Sequence, residues 1–153
     1  MVGAAILDLL AELRRELGVS YMFISHDIST VRAICDEVIV LYAGHRVEAG
    51  QRDVLAAPPY HPYTELLVDS VPALKPGWLD ARREIGCATL PAMGESADIP
   101  ELCAFRARCP VRIDGMCNMT PPSLKKLPSG AEILCHHPAA ELNRLQTEEA
   151  APV

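Results

Sequence analysis

The stretch VSYMFISHD, residues 19–27, is a short apolar run that ends abruptly in Ser25-His26-Asp27. The run Tyr21–Ile24 has aromatic and β-branched members and is too short for a helix, so it predicts a strand. Apolar strands without alternation are typical of parallel sheets that helices cover on both faces. Ligands bind beyond the carboxyl ends of such strands, which is where His26 falls. The stretch therefore predicts an α/β fold and makes His26 a candidate functional residue.

Ser25-His26-Asp27 also has two simpler interpretations. A self-contained hydrolase triad is excluded, because three consecutive residues project in different directions whereas triad members must converge. The other interpretation is that Asp27 or Ser29 caps the following helix and leaves His26 exposed. The residues alone leave that reading open.

The flanking sequence alternates between helix and strand patterns. Residues 4–17 carry apolar side chains at three- and four-residue steps, which predicts an amphipathic helix ended by Gly18. The remaining predicted elements are a helix over 29–35 with Cys35 inward, strands over 37–42 and 46–49 joined by a tight turn, a short helix over 51–57, and a helix from 62 to about 70. We expect His61 to pack or cap that last helix rather than bind a ligand.

Prolines become frequent after Val71, and no long segment with a helical or strand period follows. We predict four regions: 1–71 as the α/β unit, 72–100 as a linker, 101–140 as an irregular cysteine-rich domain, and 141–153 as a polar tail that frays. Cys87 falls in the linker, and we interpret it as a bystander.

Composition narrows the class of protein. The net charge is −6, and no Lys/Arg block exceeds a pair, so the sequence predicts no nucleic-acid partner and no binding to an anionic membrane surface. No apolar run approaches the roughly 20 residues that span a bilayer, and the N-terminus has no basic region of the signal-peptide kind. The sequence indicates a cytosolic chain, in which clustered cysteines more often bind metal or perform redox chemistry than form disulfides.

Four of the six cysteines are clustered. Cys103, Cys109, Cys117 and Cys135 follow the spacing C-x5-C-x7-C-x17-C. Zinc sites usually begin with a C-x2-4-C pair, which is missing, whereas iron–sulfur clusters accept wider spacings. Spacing alone leaves an iron–sulfur cluster, zinc, and unligated or disulfide-linked thiols all open.

Several motifs together resemble one protein family. The helix, strand and Ser25-His26-Asp27 loop resemble the switch-histidine segment of ABC-transporter ATPases. The stretch PYHPYT (residues 59–64) and the four clustered cysteines are similar to the dipeptide/oligopeptide-importer subfamily. The resemblance implies the C-terminal part of a P-loop ABC ATPase domain followed by an irregular cysteine-rich tail. It also implies that His26 senses the γ-phosphate and that the four cysteines hold a [4Fe–4S] cluster, as a structural clamp flanked by Arg106 and Arg108. His136 and His137 are alternative ligands only where a cysteine fails.

The sequence also departs from the family. It contains no G-x-x-x-x-G-K-[ST] phosphate loop, no Leu-Ser-Gly-Gly-Gln signature, and no strand ending in Asp-Glu to hold Mg²⁺. We therefore expect the C-terminal half of a subunit, and whether this chain is an enzyme is uncertain, because it lacks the residues to bind or hydrolyse ATP alone. ATP and Mg²⁺ would bind only in a complete subunit.

The resemblance implies a setting for such a subunit. It would lie peripherally at the cytoplasmic face of the plasma (inner) membrane and energise uptake of peptides or a nickel-type substrate. Its partners would be transmembrane permease subunits, a second ATPase subunit and, indirectly, a periplasmic or extracellular peptide-binding protein. The alternative is a stand-alone iron–sulfur or zinc-binding interaction module without catalysis.

Overall fold

A computed structural model of the chain describes residues 2–71 and 101–148. The predicted linker, with Cys87, and residues 149–153 lie outside the described residues. The described chain contains four helices, four strands and one 3-10 turn. In chain order these are α1 (Val2–Leu17), α2 (Ile28–Ile34), β1 (Glu37–Tyr42), β2 (His45–Gln51), the 3-10 turn (Arg52–Leu55), α3 (Pro62–Asp69), β3 (Leu124–Lys126), β4 (Glu132–Leu134) and α4 (Ala139–Glu148).

The four strands form one antiparallel sheet in the order β1-β2-β4-β3. Strands β1 and β2 are joined by the two residues Ala43 and Gly44, with φ of 48° and 80°. Positive φ at both central residues matches the right-handed twist of a hairpin, which confirms the predicted tight turn. On the other side of β2, Glu48 lies opposite Ile133 of β4. The sheet therefore joins the two segments that the sequence analysis assigned to different domains.

The α/β class is confirmed, but the strand predicted over Tyr21–Ile24 is wrong. Residues 18–25 have no regular secondary structure, and the side chains of Met22 and Ile24 are 90% and 88% exposed. A strand requires a neighbouring strand for its backbone hydrogen bonds, and no strand of the described chain lies beside this run. The predicted parallel sheet is likewise replaced by an antiparallel one.

Helix α1 forms as predicted and ends at Gly18, whose N–H donates to the Arg14 carbonyl at 3.0 Å with φ of +63°. Its apolar face is open: Ile6, Leu9 and Leu17 are each more than half exposed. An ion pair links Arg14 to Asp36 just before β1. Residues 6–24 thus carry several apolar side chains that the described chain leaves exposed.

The core lies between the sheet, the 3-10 turn and α4. Leu55, Ile133 and Leu142 are completely buried there, and Cys35 packs against this core as predicted. The polar tail predicted to fray from Glu141 is instead helical to Glu148. The prediction was wrong there because the burial of Leu142 anchors α4.

Two hydrogen bonds anchor the far end of α4. The buried Gln146 amide accepts from the Tyr60 N–H at 2.9 Å and donates to the Tyr60 carbonyl at 3.0 Å. Such a pair satisfies a buried backbone donor and acceptor at once. Among the described helices, none combines the length and apolarity needed to cross a membrane.

Candidate functional site

His26 lies at the end of the irregular segment, directly before α2. Asp27 caps α2, since its carboxylate accepts hydrogen bonds from the Ser29 N–H at 2.9 Å and from the Thr30 hydroxyl. The Thr30 hydroxyl is the main cause that lowers the pKa of the Asp27 carboxyl. The capping interpretation is therefore confirmed. The His26 side chain is exposed and has no hydrogen-bond partner in the described part of the chain, so its ring is accessible to a ligand.

The four clustered cysteines lie on three short segments around the β3–β4 end of the sheet. Turns shape the first segment, where the Arg106 N–H donates to the Cys103 carbonyl at 3.1 Å. Cys117 closes a second turn through its N–H to the Ile113 carbonyl at 2.9 Å, and Cys135 directly follows β4. All four are free thiols; Cys117 and Cys135 are buried, and Cys103 and Cys109 are half-buried.

The thiols act on one another electrostatically. Burial, together with the smaller effect of the charges of Cys135, Cys103 and Cys117, raises the pKa of Cys109 to about 12. Burial raises the pKa of Cys135 to about 11, with the same contribution from Cys103 and Cys117. Mutual effects of this kind require the four sulfurs to be neighbours in a poorly solvated region. An unligated group of this kind stays protonated at neutral pH.

The arrangement does not resemble a single-ion site. Within residues 2–71 and 101–148, no three His, Cys, Asp or Glu side chains are arranged to hold a metal ion. A structural zinc site needs four ligands converging on one point.

Side chains on either side of the cysteines brace the loops. The rings of His136 and His137 hydrogen-bond to the carbonyls of Thr120 at 3.1 Å and Val111 at 2.6 Å. His137 thus connects the turn after Cys135 to the Cys109–Cys117 segment, and His136 connects it to the residues that follow Cys117. The Arg108 Nε atom is buried and has no hydrogen-bond partner in the described chain.

A buried polar cluster lies beneath these loops at the start of α3. His61 caps α3, since its Nδ1 accepts from the Tyr63 N–H at 3.1 Å, which confirms the expected capping role. Its own N–H donates to the Glu48 carboxylate at 2.9 Å. Both side chains are 1% exposed. The Thr64 side chain is completely buried as well, and its hydroxyl lies close enough to act on the Glu48 carboxylate.

Burial shifts both titratable groups of this cluster toward their neutral forms. Burial raises the pKa of Glu48 from 4.5 to about 7, although the Thr64 and His61 hydrogen-bond donors oppose the shift. Burial lowers the pKa of His61 from 6.5 to about 4, opposed by the nearby Leu134 carbonyl. The two effects have the same cause and opposite consequences for charge.

Glu48 and Phe105 are buried near the site but were not among the predicted site residues. Glu48 follows the buried Val47, whereas strand alternation places it outward. The register shifts between Val40 and Leu41, which breaks the alternation at Val47, and it places Glu48 opposite the buried Val40 and Ile133 on the core side of the sheet. Phe105 is 1% exposed, and its ring contacts Tyr42 and Tyr63 at centroid distances of 5.1 and 5.4 Å. One of only two phenylalanines in the chain, placed between two clustered cysteines, was the available signal.

Comparisons with known proteins find one family. Residues 47–117 match the family described as oligopeptide/dipeptide transporter, C-terminal region. A putative peptide import ATP-binding protein of Brucella abortus is 42% identical over 133 residues, covering 87% of this chain and 37% of that protein. The dipeptide transport ATP-binding protein DppF of Escherichia coli is 44% identical over 127 residues, covering 81% of this chain and 36% of its own length. The chain thus spans a little over a third of the curated relatives that it matches.

Proposed function

Because residues 47–117 carry the C-terminal region of the oligopeptide/dipeptide transporter family, and the chain is related to peptide-import ATP-binding proteins over most of its length, we propose that it works as part of the ATP-binding subunit of a peptide ABC importer. The observation that carries the proposal is the 42% identity over 87% of this chain. The transported substrate would be a peptide or a nickel-type complex.

In this proposal His26 contacts the γ-phosphate of ATP. Its exposed ring, held just before a capped helix, is free to hydrogen-bond a phosphate oxygen. Phosphoryl transfer depends mainly on positioning and charge stabilisation, so such a residue orients the phosphate and the attacking water. The phosphate loop, signature and Mg²⁺ carboxylate are not found in these 153 residues, so this polypeptide alone would not hydrolyse ATP.

The exposed apolar surface of residues 2–27 supports a place within a larger ATPase domain. Surfaces of this size on soluble proteins usually mark interaction sites. We propose that Ile6, Leu9, Met22 and Ile24 pack against the nucleotide-binding portion of the subunit. The subunit would then dock on transmembrane permease subunits beside a second ATPase subunit, at the cytoplasmic face of the membrane, with a peptide-binding protein on the other side.

Complementation tests this function. The chain would be co-expressed with the nucleotide-binding portion of a peptide-import relative, and ATP hydrolysis of the purified complex measured. We expect hydrolysis that His26→Ala lowers by at least about 100-fold, since general catalysis by a positioned side chain contributes 10²–10⁴-fold. The exposed His45 provides the matched control, and His45→Ala should leave the rate unchanged. Failure to associate, or equal rates for both variants, would overturn the proposal.

We also propose a [4Fe–4S] cluster held by Cys103, Cys109, Cys117 and Cys135. The chemistry of the donor set fits this group, because Cys103, Cys109, Cys117 and Cys135 are all free thiols and iron–sulfur clusters are held by cysteine thiolates. The unpaired, buried Arg108 Nε next to Cys109 would offset the negative charge of a thiolate-ligated cluster. When bound, the cluster would crosslink three loops that have little core of their own.

The alternative of a stand-alone metal-binding module is not favoured. The absence of a phosphate loop in these 153 residues supported that alternative. The matched relatives, however, are named as ATP-binding proteins of peptide import or dipeptide transport, which favours a transporter subunit. The shared sheet also makes the cysteine loops continuous with the hairpin β1–β2.

A further inference from the structure

His61 contacts two of the segments that carry the clustered cysteines. Its ring faces the carbonyl of Leu134, the residue directly before Cys135. The ring also packs edge-on against Phe105, with centroids 6.1 Å apart, and Phe105 lies between Cys103 and Cys109. A single buried side chain therefore lies between the Cys135 strand and the Cys103–Cys109 loop.

The hydrogen bonds of His61 fix the orientation of its ring. Nδ1 accepts from the Tyr63 N–H at 3.1 Å, so the proton of the neutral ring resides on Nε2. The Leu134 carbonyl lies close enough to the ring to act on its pKa. A neutral ring is required for this pairing, and burial supplies it by lowering the pKa of His61 to about 4. The ring cannot rotate without losing one of these partners.

Glu48 holds the backbone of His61 from the other side. It accepts from the His61 N–H at 2.9 Å, and its strand pairs directly with β4. Phe105 is fixed in turn by Tyr42 at 5.1 Å and Tyr63 at 5.4 Å. Each group that touches the histidine is thus itself held by a regular element of the fold.

We propose that His61 is a positioning residue that sets the separation between the Cys103–Cys109 loop and Cys135 through its contacts with Phe105 and the Leu134 carbonyl. This inference rests on the cluster proposed above. Ligand-orienting groups behind metal ligands typically contribute 10–100-fold to metal retention. His61 is not itself a ligand in this proposal. It would act through the Leu134 backbone, directly before Cys135, and through the Phe105 ring, between Cys103 and Cys109.

Two amide substitutions separate its two contacts. In His61→Asn the short amide still caps α3 by accepting from the Tyr63 N–H, but it does not reach the Leu134 carbonyl. In His61→Gln the longer amide reaches Leu134, where its N–H₂ replaces the imidazole donor, and caps the helix poorly. If His61 acts only as a helix cap, His61→Asn should behave more like the wild-type chain than His61→Gln does. If His61 positions the cysteine loops, His61→Gln should be the variant closer to wild type.

The test measures loss of visible absorbance and iron from the full chain, purified without oxygen and mixed with an iron chelator. We expect iron release about 10-fold faster for His61→Asn than for the wild-type chain, and within about twofold of wild type for His61→Gln. Val54→Ala, which opens a cavity in the core beside Gly50, is the control for destabilisation. It should lower the thermal midpoint without accelerating iron release.

The outcomes separate this inference from the cluster proposal. A wild-type chain that is folded but carries no iron overturns both. If the wild-type chain carries a cluster but iron release accelerates in Val54→Ala as much as in His61→Asn for the same loss of thermal midpoint, the positioning role alone is overturned. If His61→Asn does not fold, Phe105→Leu decides, because it removes the ring contact; release at the wild-type rate would then contradict the inference.

Discussion

The neutral pair Glu48 and His61 leads to a distinctive pH dependence of stability. The pKa of Glu48 is about 7 in the folded chain and near 4.5 when exposed, so the folded state binds its proton more tightly. Its contribution is fully present below pH 4.5 and is lost as the pH rises to about 7. The pKa of His61 is about 4 when folded and near 6.5 when exposed. Its contribution is present above pH 6.5 and is lost as the pH falls to about 4.

Each contribution is substantial, and the two have opposite signs. At about 1.4 kcal/mol per pKa unit, each group changes the free energy of unfolding by about 3 kcal/mol across its window. Between pH 4.5 and 6.5 the two slopes cancel in the wild-type chain. Glu48→Gln removes one slope, while the glutamine oxygen can still accept from the His61 N–H. The unfolding free energy of Glu48→Gln should therefore rise relative to wild type by about 3 kcal/mol from pH 4.5 to 7.

Urea unfolding followed by far-UV circular dichroism at half-unit pH steps measures this difference. Wild type and variant are compared in the same metal-free, reduced state, so that shared titrations cancel. The control is Glu37→Gln, which changes an exposed carboxylate at the start of β1 and should follow the wild-type profile. Parallel profiles for Glu48→Gln and wild type would refute the argument, since they would show that Glu48 is ionised in the folded chain throughout this range.

Three further substitutions test the packing around the site. Gln146→Ala should lower the unfolding free energy by about 1–3 kcal/mol, because the backbone N–H and carbonyl of Tyr60 lose their buried partner. Urea unfolding and faster amide exchange in α4 would report the loss, and an unchanged urea midpoint would contradict it. Asp27→Ala removes the cap of α2 and should cost about 1 kcal/mol, seen as faster amide exchange in that helix but not in α3. Gly50→Ala should cost about 1–3 kcal/mol by thermal unfolding, because the added methyl would lie 2.8 Å from the Val54 Cγ1 atom; a wild-type midpoint would show that the neighbouring side chain moves aside.

Local signals in the sequence predicted local structure well. The hairpin followed from alternating residues on either side of Ala43-Gly44, and α1 from its apolar period and Gly18. The Asp27 cap was one of two interpretations, and the structure selects it. The resemblance to peptide-importer ATP-binding subunits, based on HPYT (residues 61–64) and the cysteine spacing, is confirmed by the comparisons.

Features that depend on distant parts of the chain were missed. Tyr21–Ile24 has the composition of a strand, but composition does not supply a neighbouring strand. Glu48 lies on the core side of the sheet beside the buried Ile133, which is more than 80 residues further along the chain, because a register shift in the hairpin breaks the alternation of β2. Leu142 is part of the buried core and holds the surrounding residues as helix α4. The mostly polar composition of this stretch gave no sign of that contact. The role of the four cysteines stays a prediction.

The most direct test of the account is the iron and acid-labile sulfide content of the full chain purified without oxygen. We predict about four irons and four sulfides per chain, lost together when Cys103, Cys109, Cys117 or Cys135 is replaced by Ser, and retained in Cys35→Ser. Folded chain without iron, or with one zinc per chain, would contradict the proposed cluster and its positioning by His61.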